Sequence, residues 1–290
     1  MTDIREAVIA LYDRFTHERM DRRVFMAELT RIAGGAAAAS LALSSVAAGA
    51  AEPVIPPDDP RIRTQPLEWE VAPDRVYTGY NAAPVGAAAN LPVVLVIHEN
   101  RGLNDHIRDV TRRIALAGYS GVAPDFLSPA GGTPADEDQA RTMIGALDMA
   151  RTVADGAAMI RWLASSEGGS RKVGAVGFCW GGGMVNRLAV AAGSALSAAV
   201  PFYGPAPDPA EAVRVQSPML IILAGRDDRV NATAGPWTEA LRAAGKDANA
   251  ITYPDVDHAF HNDTSAARYN RAAAEAAWAA ALAFFERHLR

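Results

Sequence analysis

The chemistry-bearing residues of this chain centre on one thiol. In Gly177-Phe178-Cys179-Trp180-Gly181 a cysteine stands between two glycines, directly after the apolar run Val173–Val176 and before a helical pattern. This fits the nucleophile elbow, Gly-x-nucleophile-x-Gly, with Cys in place of the commoner Ser. The glycines answer a steric need, because side chains flanking a strained strand-to-helix turn would collide with the neighbouring strand and helix. A helix amino end after Cys179 favours the thiolate, the form that attacks. A glycine-rich turn of this kind can also hold a phosphate, but the Walker spacing and its Lys-Ser/Thr are missing.

An elbow nucleophile needs a base and an acid, in chain order nucleophile, acid, base. The run Met219–Leu223 leads into Ala224-Gly225-Arg226-Asp227-Asp228, and Asp227 is the preferred acid with Asp228 in reserve. The run Ile251–Tyr253 gives way to Asp257-His258-Ala259-Phe260-His261. His258 holds the better position for the base, with His261 the alternative; His261 is also a candidate for the substrate pocket. The two histidines have no third ligand at convincing spacing, and His98-Glu99 lacks a second zincin histidine because position 102 is Gly. No metal and no cofactor are expected, and no dinucleotide glycine fingerprint opens the first α/β unit.

These residues must be positioned by strands. Leu91–Ile97 is a β-branched run of the kind buried on both faces, with further strands at 121–123, 172–178, 198–203, 218–224 and 249–253. Helical patterns at 106–118, 137–165, 181–192, 236–244 and 268–288 alternate with them. Two short strands, 67–71 and 75–81, precede the series as an antiparallel pair. The expected fold is α/β, a mostly parallel central sheet with helices on both faces and its chemistry at the carboxyl ends of the strands.

The motifs resemble those of the dienelactone hydrolases (carboxymethylenebutenolidases), members of the α/β-hydrolase superfamily. The likeness is carried by His98-Glu99-Asn100-Arg101-Gly102, Gly177-Phe178-Cys179-Trp180-Gly181-Gly182, Gly225-Arg226-Asp227 and Asp257-His258-Ala259-Phe260, and spans about 67–289. It implies an ester or lactone hydrolase with a Cys179–His258–Asp227 triad and a small-molecule ester or lactone as substrate. It further implies that Glu99 hydrogen-bonds the resting nucleophile, and that backbone N–H groups of Asn100 and Trp180 form an oxyanion hole. Family members use arginines to hold a substrate carboxylate, one of them four residues beyond the histidine. Here that position is Asn262, and Arg101 and Arg141 lie nearby without matching residue by residue. Arg101 is therefore a candidate substrate contact. Two other readings keep the same fold: a non-catalytic ligand-binding protein and a cysteine peptidase.

The remaining chain bounds the partners. A length of 290 residues, half of them apolar, is enough for one large α/β domain or two small domains. A formal net charge of −5 gives no electrostatic reason to expect nucleic acid or an anionic membrane. With a single cysteine, an intramolecular disulfide is impossible. The first 51 residues read as an amino-terminal extension with a twin-arginine export signal: Arg22-Arg23 precede Phe25, a weakly apolar stretch follows from Ile32, and Ala48-Gly49-Ala50 has signal-peptidase spacing. That reading implies the twin-arginine machinery as a partner and a periplasmic or secreted enzyme without stable membrane insertion. The alternative is a cytoplasmic protein whose segment from Asp3 to Arg19 is an amphipathic helical arm. Residues 52–66 read as a linker and 67–290 as the hydrolase domain; no oligomeric state is specified.

Overall fold

Val93–Ile97 and Val173–Phe178 are continuous apolar runs with every residue buried, and they form β3 and β5. The two pair in parallel, from Val93 opposite Val173 to Ile97 opposite Gly177. In the computed structural model, which describes residues 4–18, 20–46, 53–73, 75–87, 90–165 and 172–290, they are the centre of an eight-stranded sheet. β4 (Ser120–Pro124) flanks β3, and β6 (Ala198–Phe202), β7 (Met219–Ala224) and β8 (Ala248–Tyr253) continue the parallel ladder beyond β5. An antiparallel hairpin of β1 (Ile62–Ala72) and β2 (Arg75–Pro84) is added at the β4 edge, giving the order β1-β2-β4-β3-β5-β6-β7-β8.

Side chains alternate across a strand, and so the sheet has two cores. Val93, Leu95 and Ile97 of β3 pack with α6 (Met149–Ser165), α7 (Trp180–Ala191) and α8 (Asp228–Ala243). Val94 and Val96 point the other way, toward α4 (Asp105–Leu116) and α9 (Arg271–Leu289), where Ile107, Val110, Ile114 and Phe285 fill the second layer. The expected mostly parallel sheet with helices on both faces is the observed architecture.

Among the boundaries that differ from the sequence reading, three have a clear local reason. The helical stretch 137–165 is two helices, α5 (Glu137–Gly145) and α6, and the Asp148 carboxylate accepts the Arg151 N–H where the second begins. α8 starts at Asp228 rather than near Pro236, because the Asp227 carboxylate caps it through the Val230 N–H. β1 starts at Ile62, inside the stretch read as linker, since Ile62 already pairs with Pro84.

The amino-terminal segment forms α1 (Ile4–His17), α2 (Arg22–Ala33) and α3 (Ala36–Val46). The Phe15 and Phe25 rings stack 4.2 Å apart between α1 and α2, with Leu29 fully buried beside them. The twin arginines open α2, capped by the Asp21 side chain through the Arg23 N–H. The expected cleavage site, Ala48-Gly49-Ala50, lies outside the described residues.

At the elbow, β5, α7 and β3 approach so closely that no side chain fits between them. A Cβ on Gly181 would stand 2.3 Å from the Ile97 carbonyl oxygen, and one on Gly177 would stand 2.3 Å from the Gly181 oxygen. Both obstacles are backbone and have little room to yield. Gly181→Ala is therefore expected to destabilise the fold by about 3 kcal/mol, the upper end of overpacking costs. Urea unfolding should show a lower midpoint with an unchanged slope.

Candidate active site

Cys179 occupies the turn between β5 and α7 with φ 55° and ψ −115°, a left-handed conformation that costs a non-glycine residue about 1–3 kcal/mol. Backbone hydrogen bonds hold it there: the Cys179 N–H donates to the Phe202 oxygen at 3.1 Å, and the Gly183 N–H to the Cys179 oxygen at 3.0 Å. The turn leaves the thiol at the amino end of α7, where helix N–H groups without intrahelical acceptors favour negative charge. Trp180 is the first residue of that helix.

His258 follows β8, is buried, and meets Cys179 in one small pocket. Its Nδ1–H donates to Asp227 Oδ2 at 2.5 Å. The other Asp227 oxygen caps α8, so this carboxylate both orients the imidazole and starts a helix. Burial resists charge on His258, but the adjoining Cys179 and the Asp227 carboxylate outweigh it and push the pKa up to about 10. Burial likewise opposes ionisation of Asp227, yet the His258 charge and hydrogen bond hold its carboxyl below the ordinary range. Asp228, by contrast, is an exposed first-turn residue of α8.

Glu99 follows β3 and is buried against the same pocket. Its Oε2 accepts from Asn262 Nδ2 at 2.7 Å. The orientation of that amide is set by Thr264, whose N–H and hydroxyl both donate to Asn262 Oδ1 at 3.0 and 2.6 Å. In the sequence Asn262 stood out only as a departure from an expected arginine; its spacing of four from His258 was the available signal for its place in the site. Arg268 was not singled out, yet it also lines the pocket.

The other expected contacts divide. Asn100 and Arg101 line the pocket. The Asn100 side-chain amide donates to the Thr16 oxygen at 3.1 Å, while Arg101 pairs with Glu137 and donates to the Tyr12 hydroxyl. His261 is not at the pocket. Its ring stacks on Phe178 with centroids 5.0 Å apart and meets Phe202 edge-on, within the apolar layer under the sheet. Burial first, then the positive surroundings of His106 and Arg113, push its pKa down to about 3.

Comparison with known proteins places this geometry among relatives. The family model described as the dienelactone hydrolase family matches residues 77–289. A protein of Escherichia coli K12 named "Putative carboxymethylenebutenolidase" is 32% identical over 224 residues, covering 72% of this chain and 82% of the relative. A protein of the same name from Saccharolobus solfataricus is 31% identical over 230 residues, covering 67% and 88%. A crystal structure titled as a putative dienelactone hydrolase from Klebsiella pneumoniae superposes with a TM-score of 0.68 at 29% identity, over 78% of this chain and 99% of that one.

The buried neutral His261 sets an acid limit on stability. Its folded pKa lies below its unfolded value of about 6.5, so its contribution is complete above that pH and is lost as pH falls toward about 3. His261→Phe keeps a ring in the stack and removes the titration. Between pH 7 and pH 5 the variant should lose less unfolding free energy than the parent, by on the order of 1–2 kcal/mol. Parallel urea titrations at the two pH values check this.

Proposed function

As the chain belongs to the dienelactone hydrolase family and is a hydrolase acting on a lactone or ester, we propose that Cys179 is the nucleophile, His258 the proton carrier and Asp227 the residue that orients it. The observation that carries this reading is the buried Asp227–His258 hydrogen bond directed at a cysteine on an elbow turn.

The thiolate of Cys179 attacks the carbonyl carbon, and the negative charge moves onto the carbonyl oxygen. Backbone N–H groups of Trp180 and Asn100 are the donors assigned to that oxyanion, each worth about 2.7–4 kcal/mol of transition-state stabilisation. The tetrahedral intermediate collapses to a thioester, and His258 gives its proton to the departing alkoxide. Acylation has then consumed the thiolate charge that kept His258 protonated. Burial now favours the neutral imidazole, which takes a proton from water as that water attacks the thioester. Cys179 leaves as thiolate, His258 is again its cationic partner, and the acid product departs. Glu99 acts in support, its Oε2 held by Asn262 beside the Cys179 pocket that it lines. Arg101 is assigned to contacting bound substrate.

The amino-terminal Arg22-Arg23 pair and the weakly apolar stretch after it support export by the twin-arginine route to the periplasm or beyond. Protein recovered from a periplasmic fraction should begin near residue 51; recovery only of cytoplasmic chains beginning at Met1 contradicts export.

Cys179→Ala is expected to lower kcat/KM for p-nitrophenyl acetate by about a thousandfold or more, and Asp227→Asn by about a hundredfold or more. Asp228→Asn should stay within about twofold of the parent, because its solvated side chain is off the His258 contact. Full esterase activity in Cys179→Ala would overturn the assignment.

A further inference from the structure

The pocket around Cys179 has a volume of only about 20 Å³, room for roughly one water molecule and far too little for an ester. Part of its wall comes from the amino-terminal segment, since Thr16 of α1 lines it together with Asn100, Arg101 and Arg268. α1 is fastened by polar contacts to those same residues and to Arg141 of α5. Asp13 pairs with Arg268 at 3.3 Å, the Tyr12 hydroxyl accepts from Arg101, the Thr16 oxygen accepts from Asn100 at 3.1 Å, and the Phe15 oxygen accepts from Arg141. The Arg268 guanidinium also lies over the Tyr12 ring, 5.2 Å from its centroid.

The apolar packing follows a different plan. Val8, Leu11, Tyr12, Phe15, Phe25 and Leu29 form a cluster inside the amino-terminal helices, and among the described residues Ala267 is its one buried member from the hydrolase domain. The three helices thus carry their own small core and meet the domain through ion pairs, hydrogen bonds and cation–π contacts. Such an interface opens without exposing a continuous core, whereas the sheet's two layers do not. The family match begins at residue 77, and the Klebsiella pneumoniae relative is covered over 99% of its length by 78% of this chain. The cap is an addition to a domain that is complete in relatives. Beside α1 a second cavity of about 220 Å³ lies between Arg5, Glu6 and Ile9 on one side and Arg226 and Asp257 on the other, and Arg268 lines both spaces.

We propose that α1–α3 are an autoinhibitory cap: α1 seals the Cys179 pocket in the full chain, with Asp13–Arg268 and Tyr12–Arg101 as its latches, and substrate enters only when the cap swings away or is removed. The inference rests on Cys179 being the nucleophile. Arg268 lines both the outer cavity and the catalytic pocket, so release of Asp13 frees the side chain that the two spaces share. Removal of the amino-terminal segment on export would leave the enzyme permanently open.

The test uses the full chain and its single cysteine, read in two ways: the rate of Cys179 labelling by fluorescein maleimide and kcat/KM for p-nitrophenyl butyrate. Asp13→Asn combined with Tyr12→Phe removes both latches conservatively and is expected to raise each rate about tenfold. Arg14→Ala, on the outer side of α1, should leave both unchanged. A second form carries a specific protease sequence in place of residues 47–52 and is cut after folding, which should raise both rates at least as far. Labelling rates equal within about twofold in the parent, the latch variant and the cut protein would overturn the cap, and the cut form decides the matter if the latch variant misfolds. Faster labelling with no hydrolysis in any form leaves the cap standing and removes the hydrolytic role of Cys179; hydrolysis with unchanged labelling does the reverse.

Discussion

A buried charge survives only against another charge, and this site is built on that constraint. Cys179, His258 and Asp227 are all nearly excluded from solvent, and Asp13, Glu99 and Arg268 crowd the same region. Desolvation opposes charge on the imidazole, while the neighbouring Cys179 and the Asp227 carboxylate favour it. That dependence gives the proposed cycle its direction. Turning the thiolate into a thioester converts the same histidine from acid to base without any movement of the backbone.

The scaffold maintains this arrangement by coupling it to secondary structure. Asp227 orients His258 with one oxygen and caps α8 with the other, so the acid is fixed wherever the helix is fixed. The strained φ of Cys179 is stabilised by hydrogen bonds to β6 and α7 and by glycine contacts that leave β3, β5 and α7 no slack. Glu99 is aimed by Asn262, which is in turn locked by Thr264. In each case a loop side chain inherits the rigidity of the strand end from which it projects.

The amino-terminal helices obey a different logic from the sheet. Their apolar residues satisfy one another, and their link to the domain is polar and aromatic–cationic. Two bodies related in this way have separable stabilities, in contrast to the two helix layers that share β3 and β5. Two arginines that line the pocket, Arg101 and Arg268, engage α1 in the closed chain, as does Arg141 of α5.

Much of this was legible in the residues themselves. A continuous β-branched run marked β3 and an apolar run marked β5, because a strand covered on both faces has no polar side, and the spacing Gly177-x-Cys179-x-Gly181 declared a turn too tight for side chains. Helix starts were less legible: α8 begins at Asp228 because of a cap whose carboxylate also serves His258, a double use invisible to periodicity. Choices between near neighbours belonged to tertiary structure. Asp227 and Asp228, or His258 and His261, are alike in composition and spacing. Only the packing of β7 against β8 and of Phe178 under His261 joins one of each pair in the Asp227–His258 hydrogen bond and leaves the other in solvent or core. The placement of α1 over Cys179 was likewise beyond the sequence, since an amphipathic pattern states that a helix has a face to bury and says nothing of what it will bury it against.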